Sequence, residues 1–283
     1  QTDRLYQQAS LIIEPIKNWT THVEFNYSIK NSSVKETSLP VYNHDIEGNV
    51  INTNKDSYLY QDQTKENYLN LNIYSEYFHS FNNIHNTKIM LGFQTESMQQ
   101  EFSSTQKYGV MIGDMPYFDI TTGLDGKGNV KATKANGNGK RWKTAGFFGR
   151  LNYDYMGRYL AEINMRYDGS SRFRRGSRWQ WSPSFSLGWN IAQEKFWESL
   201  TDIANTLKLR VSYGELGNQN TTEWYPTYQS LSVKASDGKW LQGGILPNAA
   251  YVPALISSSL GWERVRNWNV GLDFGALNNR LTG

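Results

Sequence analysis

Residues able to do chemistry are present, but not at the spacings that catalysis or metal binding requires. The four histidines, His22, His44, His79 and His85, are scattered. His79 and His85 lack the i, i+4 interval that sets two imidazoles on one helix face for zinc. Asp125-Gly126-Lys127-Gly128-Asn129 has the outline of a calcium loop. It lacks an oxygen ligand at its third position and a glycine at its sixth, so a Gly-rich turn is expected there. Asp154 and Glu162 could imitate the paired carboxylates of a glycoside hydrolase, but a charge network with Arg150 and Arg166 is the simpler expectation. No phosphate-binding loop, G-x-S-x-G elbow or dinucleotide fingerprint occurs. Cysteine is absent, which excludes disulfides and cysteine-ligated zinc or iron–sulfur centres. No enzymatic activity is expected, and no cofactor is required.

Binding residues are easier to nominate. Trp224, Tyr225, Tyr228 and Trp240 lie in one long polar stretch. Exposed aromatics there would stack on sugar faces or anchor an interface, or else pack loop against loop. Asp168-Gly169-Ser170-Ser171-Arg172-Phe173 leaves a strand and could touch a ligand through Asp168 and Arg172. A structural anchor held by Asp168–Arg172 hydrogen bonds is the favoured reading. The only basic cluster, Arg172, Arg174, Arg175 and Arg178, sits in the same predicted loop. With a net charge of +3 over 283 residues and the signs interspersed, nucleic acid is not an expected partner.

The elements that must carry these residues are strands. Leu151, Tyr153 and Tyr155 alternate with Arg150, Asn152 and Asp154. After a turn at Met156-Gly157-Arg158, Tyr159, Ala161, Ile163, Met165 and Tyr167 alternate with Glu162, Asn164 and Arg166, Leu160 being the apolar exception. Nine residues of period-two alternation predict a strand of about the 9–11 residues that cross a bilayer at a tilt. Similar strands are predicted at Trp181–Ile191, Leu207–Tyr213, Trp268–Phe274, Val23–Lys30 and Lys88–Phe93. Two more lie around Tyr68–Phe78 and Leu5–Ile13. No stretch approaches the ~20 apolar residues of a membrane helix.

The connections sort into two classes. Glu14–Asn18, Phe81–Asn86, Met156–Arg158 and Ala276–Asn279 are short, as is Ala192–Thr206 with its helix-like piece. Asn31–Glu66, Gln99–Lys143, Asp168–Arg178 and Gly214–Arg266 are longer. Tight turns on one side and elaborated loops on the other are the rhythm of an outer-membrane β-barrel, with short periplasmic turns and long extracellular loops. The 10 Trp, 18 Tyr and 12 Phe suit its interfacial girdles. Apolar residues would then face outer-membrane lipid, and polar ones a wet interior. The fold expected is all-β: an antiparallel transmembrane β-barrel segment of about ten strands. A soluble β-sandwich for carbohydrate binding or adhesion is the alternative from a different class. The chain opens at Gln1 and ends just after a hairpin turn, which reads as an internal part of something longer.

Several phrases resemble the SusC/RagA family of TonB-dependent outer-membrane transporters of Bacteroidetes. They are Gly149-Arg150-Leu151-Asn152-Tyr153, Tyr159-Leu160-Ala161-Glu162, Arg166-Tyr167-Asp168-Gly169-Ser170-Ser171-Arg172-Phe173, and Trp181-Ser182-Pro183-Ser184 with Gly188-Trp189. Further on come Leu207–Gly214 with Gly217-Asn218-Gln219-Asn220, Leu260-Gly261-Trp262-Glu263, Asn269–Phe274 and Asn278-Asn279-Arg280. The likeness is dense over Ala145–Gly283 and thinner before it. It implies a 22-stranded barrel closed by an N-terminal plug, the plug and remaining strands lying outside this sequence. It also implies energy from the TonB–ExbB–ExbD complex, a SusD-like surface lipoprotein as lid, and import of an oligosaccharide or oligopeptide across the Gram-negative outer membrane. A siderophore or vitamin receptor is the near alternative.

Overall fold

The computed structural model describes every residue except Lys55, Ser230, Ala235, Ala254, Ser258, Asn278 and Asn279. Its strands are β1 (Thr2–Ile16), β2 (Trp19–Ser38), β3 (Val41–His44), β4 (Val50–Asn54), β5 (Tyr58–Phe81), β6 (His85–Tyr108), β7 (Lys134–Tyr155), β8 (Tyr159–Ser170), β9 (Trp179–Asn190), β10 (Ala204–Asn218), β11 (Ser232–Lys234), β12 (Ala249–Tyr251), β13 (Glu263–Ala276) and β14 (Leu281–Thr282). Ten of them form one sheet in the order β1-β2-β5-β6-β7-β8-β9-β10-β13-β14, so each pairs with the next strand of that sheet along the chain. β3–β4 and β11–β12 are separate hairpins within long connections. Among the described residues helix is confined to short 3-10 turns at Arg175–Ser177, Ile191–Gln193 and Lys195–Leu200, the last two forming the helix-like piece.

Register explains why these residues form this sheet. Leu151 pairs with Ile163, Ile163 with Phe185, Phe185 with Tyr213, and Tyr213 with Trp268. The next apolar row is Tyr153, Ala161, Leu187, Val211 and Val270. Between them runs a polar row of Asn152, Glu162, Ser186, Ser212 and Asn269. A one-residue slip anywhere would put charge into the apolar face, so alternation fixes the register.

Burial runs opposite to that of a soluble protein. Leu187 and Val270 are 65% and 75% exposed, whereas Ser182 and Gln180 are buried. Among the described residues the buried hydrophobic side chains are Leu59 and Phe173. A β-sandwich requires Leu, Val and Phe packed between two sheets, and these side chains are not. The sandwich alternative therefore fails.

Turns follow the local sequence. Asn82 and Asn83 both take positive φ between β5 and β6, and Met156 and Gly157 do so between β7 and β8. Left-handed pairs of this kind match the twist of a two-stranded ribbon. The connections Asn31–Glu66 and Gln99–Lys143 are less loop than the sequence suggested. β2 runs on to Ser38, β5 begins at Tyr58, β6 ends at Tyr108 and β7 begins at Lys134. Polar cross-strand pairs carry these extensions, with Lys30 Nζ 3.1 Å from Glu66, Gln100 donating to Glu66 at 2.9 Å and Tyr58 to Glu36 at 2.8 Å. Where both faces are wet, no apolar alternation marks a strand.

The chain divides into two compact units. One comprises Gln1–Ala9, Asn26–Asn70 and Ser97–Arg141, the other Ser10–Phe25, Leu71–Glu96 and Trp142–Gly283. The first holds the polar strand extensions, the β3–β4 hairpin and the β6–β7 connection. The second holds β7 from Trp142 onward, the β8–β10 and β13 strands, and the β8–β9 and β10–β13 connections.

Candidate functional site

The polar face of the second unit is a hydrogen-bonded wall. Arg150 Nε donates to Asn164 at 2.6 Å, Asn164 donates to Glu162 at 2.7 Å, and Asn152 donates to the other Glu162 oxygen at 2.6 Å. Arg210 and Asp273 form an ion pair at 2.5 Å. Asp154 does not join this network. It accepts from the Gly157 amide at 2.6 Å and from Asn86 at 3.3 Å, and so holds the β7–β8 turn. The paired-carboxylate resemblance ends there, because each acid is occupied by a structural partner.

Farther along the same face, Arg166 grips Asp168 through Nε at 3.1 Å and Nη2 at 2.9 Å. Two residues apart on one strand, both side chains point the same way. Arg166 also reaches Gln94 at 3.3 Å and lies over the Phe148 ring at 5.2 Å. Two recesses of about 390 and 360 Å³ share this pair. One adds Arg150, Asn164 and Glu215, the other Glu96, Asn218 and Trp262. Polar groups of both signs line a shallow surface suited to a hydroxyl-rich or amide-rich solute.

The expected Asp168–Arg172 hydrogen bonds are not formed. Asp168 is committed to Arg166 on the strand, while Arg172 has left the strand and turned away from it. Arg172 is buried, donates to the Gln219 carbonyl at 3.3 Å and stacks on Trp142 at 5.0 Å. Burial pulls its guanidinium below the ordinary arginine value. Thr227, fully buried, donates back to the Arg172 carbonyl at 3.2 Å, and Arg174 donates to the Thr227 carbonyl at 2.9 Å. Phe173 is also fully buried and packs on Trp262 at 5.7 Å, whose indole donates to the Arg178 carbonyl at 2.8 Å. Arg172, Phe173 and Arg174 thus clamp the β10–β13 connection. Sequence reading missed Phe173, Thr227 and Trp262, because their pairings span dozens of residues and leave no local signal.

Of the aromatic candidates, Tyr225 and Tyr228 meet edge to face at 5.8 Å, and Arg174 lies 5.8 Å from the Tyr228 ring. Tyr228 and Trp240 are exposed, Trp224 and Tyr225 half-buried. Elsewhere in the connection Tyr251 donates to Asp237 and holds that carboxyl below the usual range. The clamp therefore brings Tyr225 and Tyr228 beside Arg172 and Arg174, while Trp240 stands in a separate part of the connection.

Among the described residues no group of three or more His, Asp or Glu is placed to hold a metal. His85 contacts the Tyr153 hydroxyl at 2.7 Å, and His22 stacks on Tyr74 at 4.5 Å. Asp125 is filled by donors: the amides of Lys127 and Asn129, each at 2.9 Å, and the Asn129 side chain at 3.2 Å. It is the Gly-rich turn expected from its sequence.

Comparison with known proteins agrees with this architecture. Residues 2–283 match the family described as "TonB dependent receptor-like, beta-barrel". The TonB-dependent receptor SusC of Bacteroides thetaiotaomicron is 40% identical over 137 residues, covering 48% of this chain and 14% of that protein. The TonB-dependent receptor P39 of Formosa agariphila is 27% identical over 283 residues, covering 98% of this chain and 24% of that protein. The chain thus spans 14% and 24% of the lengths of these two curated relatives. A solved structure of the RagAB peptide transporter shares the fold with a TM-score of 0.83 at 20% identity, over 99% of this chain and 29% of that one. No helix among the described residues is long and apolar enough to cross a membrane, which says nothing against crossing by strands. With its apolar face exposed, its polar face bonded and its whole length matched, this chain belongs to the TonB-dependent receptor-like β-barrel family of the outer membrane.

Proposed function

We propose that this chain is part of the barrel wall and extracellular loops of an importer energised by the TonB–ExbB–ExbD complex. Its cargo is a nutrient too large for passive pores, an oligosaccharide or oligopeptide. A SusD-like surface lipoprotein closes over the loops. An N-terminal plug and the remaining strands of a 22-stranded barrel belong to other parts of the polypeptide. The observation that carries the reading is the inverted burial. Exposed Leu, Val and Phe in unbroken rows suit hydrocarbon, and a face of interlocked Arg, Asp, Glu and Asn suits a wet lumen. The likeness to SusC and to the RagAB fold supports the cargo class.

Cargo contacts fall to the exposed Tyr228 and Trp240, backed by Trp224 and Tyr225, with Asp168 and Arg172 holding the wall and clamp beneath them. The test is uptake in a strain lacking the whole transporter and complemented with it. Growth on one class of oligomer, abolished when TonB is deleted, is expected. Uptake that persists without TonB, or uptake of a siderophore or vitamin alone, would overturn the reading.

A further inference from the structure

The apolar outer face is not uniform. At Ala161 the row Tyr153, Ala161, Leu187, Val211 is notched, because a methyl group stands among large side chains. Tyr159 and Trp189, paired across β8 and β9, close the notch at the end next to the short turns. The resulting groove holds about 430 Å³ and is lined by Tyr153, Tyr159, Ala161, Leu187, Trp189 and Val211. That is room for a stretch of acyl chain.

A second observation points to what occupies it. Tyr159 and Trp189 both donate to Glu194, Trp189 at 3.1 Å, and these bonds hold the Glu194 carboxyl below its ordinary range. The Ile191–Leu200 segment is thereby tied to the outer face at the membrane rim. Arg158 stands at the same rim, directly before Tyr159. Its side chain is 23% exposed and forms a long ion pair with Glu194 at 4.0 Å, beyond hydrogen-bond reach. Its donors therefore stand beside Tyr159, at the end of the apolar slot, with only a long ion pair to Glu194. Lys195, exposed beside Glu194, adds positive charge. A fork of guanidinium donors over an apolar groove is complementary to a phosphate ester on an acyl chain. Because the rim is the short-turn side, the lipid comes from the periplasmic leaflet.

We propose that this face carries a discrete phospholipid site, with one acyl chain seated over Ala161 and the headgroup phosphate on Arg158. The site is continuous with the lipid-facing surface and differs from the ordinary lipid shell in holding one molecule by shape and charge together.

The experiment uses the whole transporter, extracted in detergent and exchanged until bulk lipid is gone, with retained lipid read by native mass spectrometry. Exchange into micelles doped with labelled phosphatidylethanolamine gives the occupancy. The parent protein is expected to keep one phospholipid. Ala161→Trp, which fills the notch, and Arg158→Gln, which removes the charge, should each lower occupancy about tenfold, the equivalent of one lost contact. Val270→Trp, on the same apolar face outside the groove, should leave it unchanged. Heat-modifiable gel mobility confirms that each variant is a folded barrel. Equal retention by all three variants, equal loss in all three, or retention only of detergent or lipopolysaccharide would overturn the proposal.

Discussion

The β6–β7 connection and the β10–β13 connection are both long and polar, yet they are held in opposite ways. The first is built largely from its own backbone, with outside ties where Gly126 donates to Asp56 at 2.8 Å and Val110 to the Ser57 hydroxyl at 2.9 Å. Thr122 donates to the Gly109 carbonyl at 2.8 Å, Gly123 to that of Tyr108 at 2.9 Å, and Lys131 to that of Gly123 at 2.8 Å. Gly109 takes a positive φ of 76°, and a side chain there would meet the Thr122 hydroxyl at 1.9 Å. The second is gripped from outside itself, by Arg172, Phe173 and Arg174 of the β8–β9 connection. A loop that is mostly its own scaffold depends little on the β8–β9 connection. A loop clamped at a few points is free to vary between them, and there Tyr228 and Trp240 are exposed.

The sharpest way to break this comparison is to remove the clamp. Phe173→Ala deletes a fully buried ring and should cost about 3–5 kcal/mol of local stability. Hydrogen exchange should rise across the whole β10–β13 connection and stay unchanged in the β6–β7 connection. Exchange that rises equally in both would show that the two connections are not independently held. Arg172→Met should loosen the same connection by less, about 1–3 kcal/mol. It keeps much of the stacking on Trp142 but strands the Gln219 carbonyl. Limited proteolysis between Gln219 and Trp262 would report it.

How much was legible follows the same division. The β7–β8 hairpin could be read at nearly residue resolution because, Leu160 and the Met156–Arg158 turn apart, alternation assigns the residues from Gly149 to Tyr167 to a wet or an apolar face. The strand extensions at Tyr58–Lys65 and Gln99–Tyr108 could not, since neither face there meets an apolar medium. The Arg166–Asp168 pair was within reach, because residues two apart on a strand share a face. The Phe173–Trp262 contact was beyond reach. Nothing near Phe173 distinguishes a buried phenylalanine in a loop from an exposed one, and its partner lies on another connection. Asn278 and Asn279 of the final turn lie outside the described residues.

Removing an exposed aromatic sharpens the comparison from the other side. Trp240 is 66% exposed, so Trp240→Ala should change stability by no more than about 0.5 kcal/mol. Cargo affinity should fall about tenfold if the indole stacks on cargo, as a single hot-spot aromatic does. Calorimetric titration with the transported oligomer measures it, and unchanged affinity would move the cargo surface away from this part of the connection.

The smallest effect belongs to the self-held loops. Asp45 and Asp125 build the same turn: each accepts from the amides two and four residues ahead, and each is followed by a glycine at φ 82° three residues on. The backbone amides of Asn49 and Asn129 hold these carboxyls below their ordinary value. A carboxyl depressed on folding lends its full stabilisation at pH above the ordinary carboxylate range, and loses it as pH falls through the depressed value. Amide protection at Lys127 and Asn129 should therefore weaken in acid, with no change near neutrality. Asp125→Asn keeps an acceptor in place and should abolish that acid dependence while leaving the Asp45 turn titrating as before. Both turns lie in exposed loops, so the β10–β13 connection should not respond to either. If acid loosened that connection together with the two turns, a shared electrostatic tie would have to join loops that the hydrogen bonds keep separate.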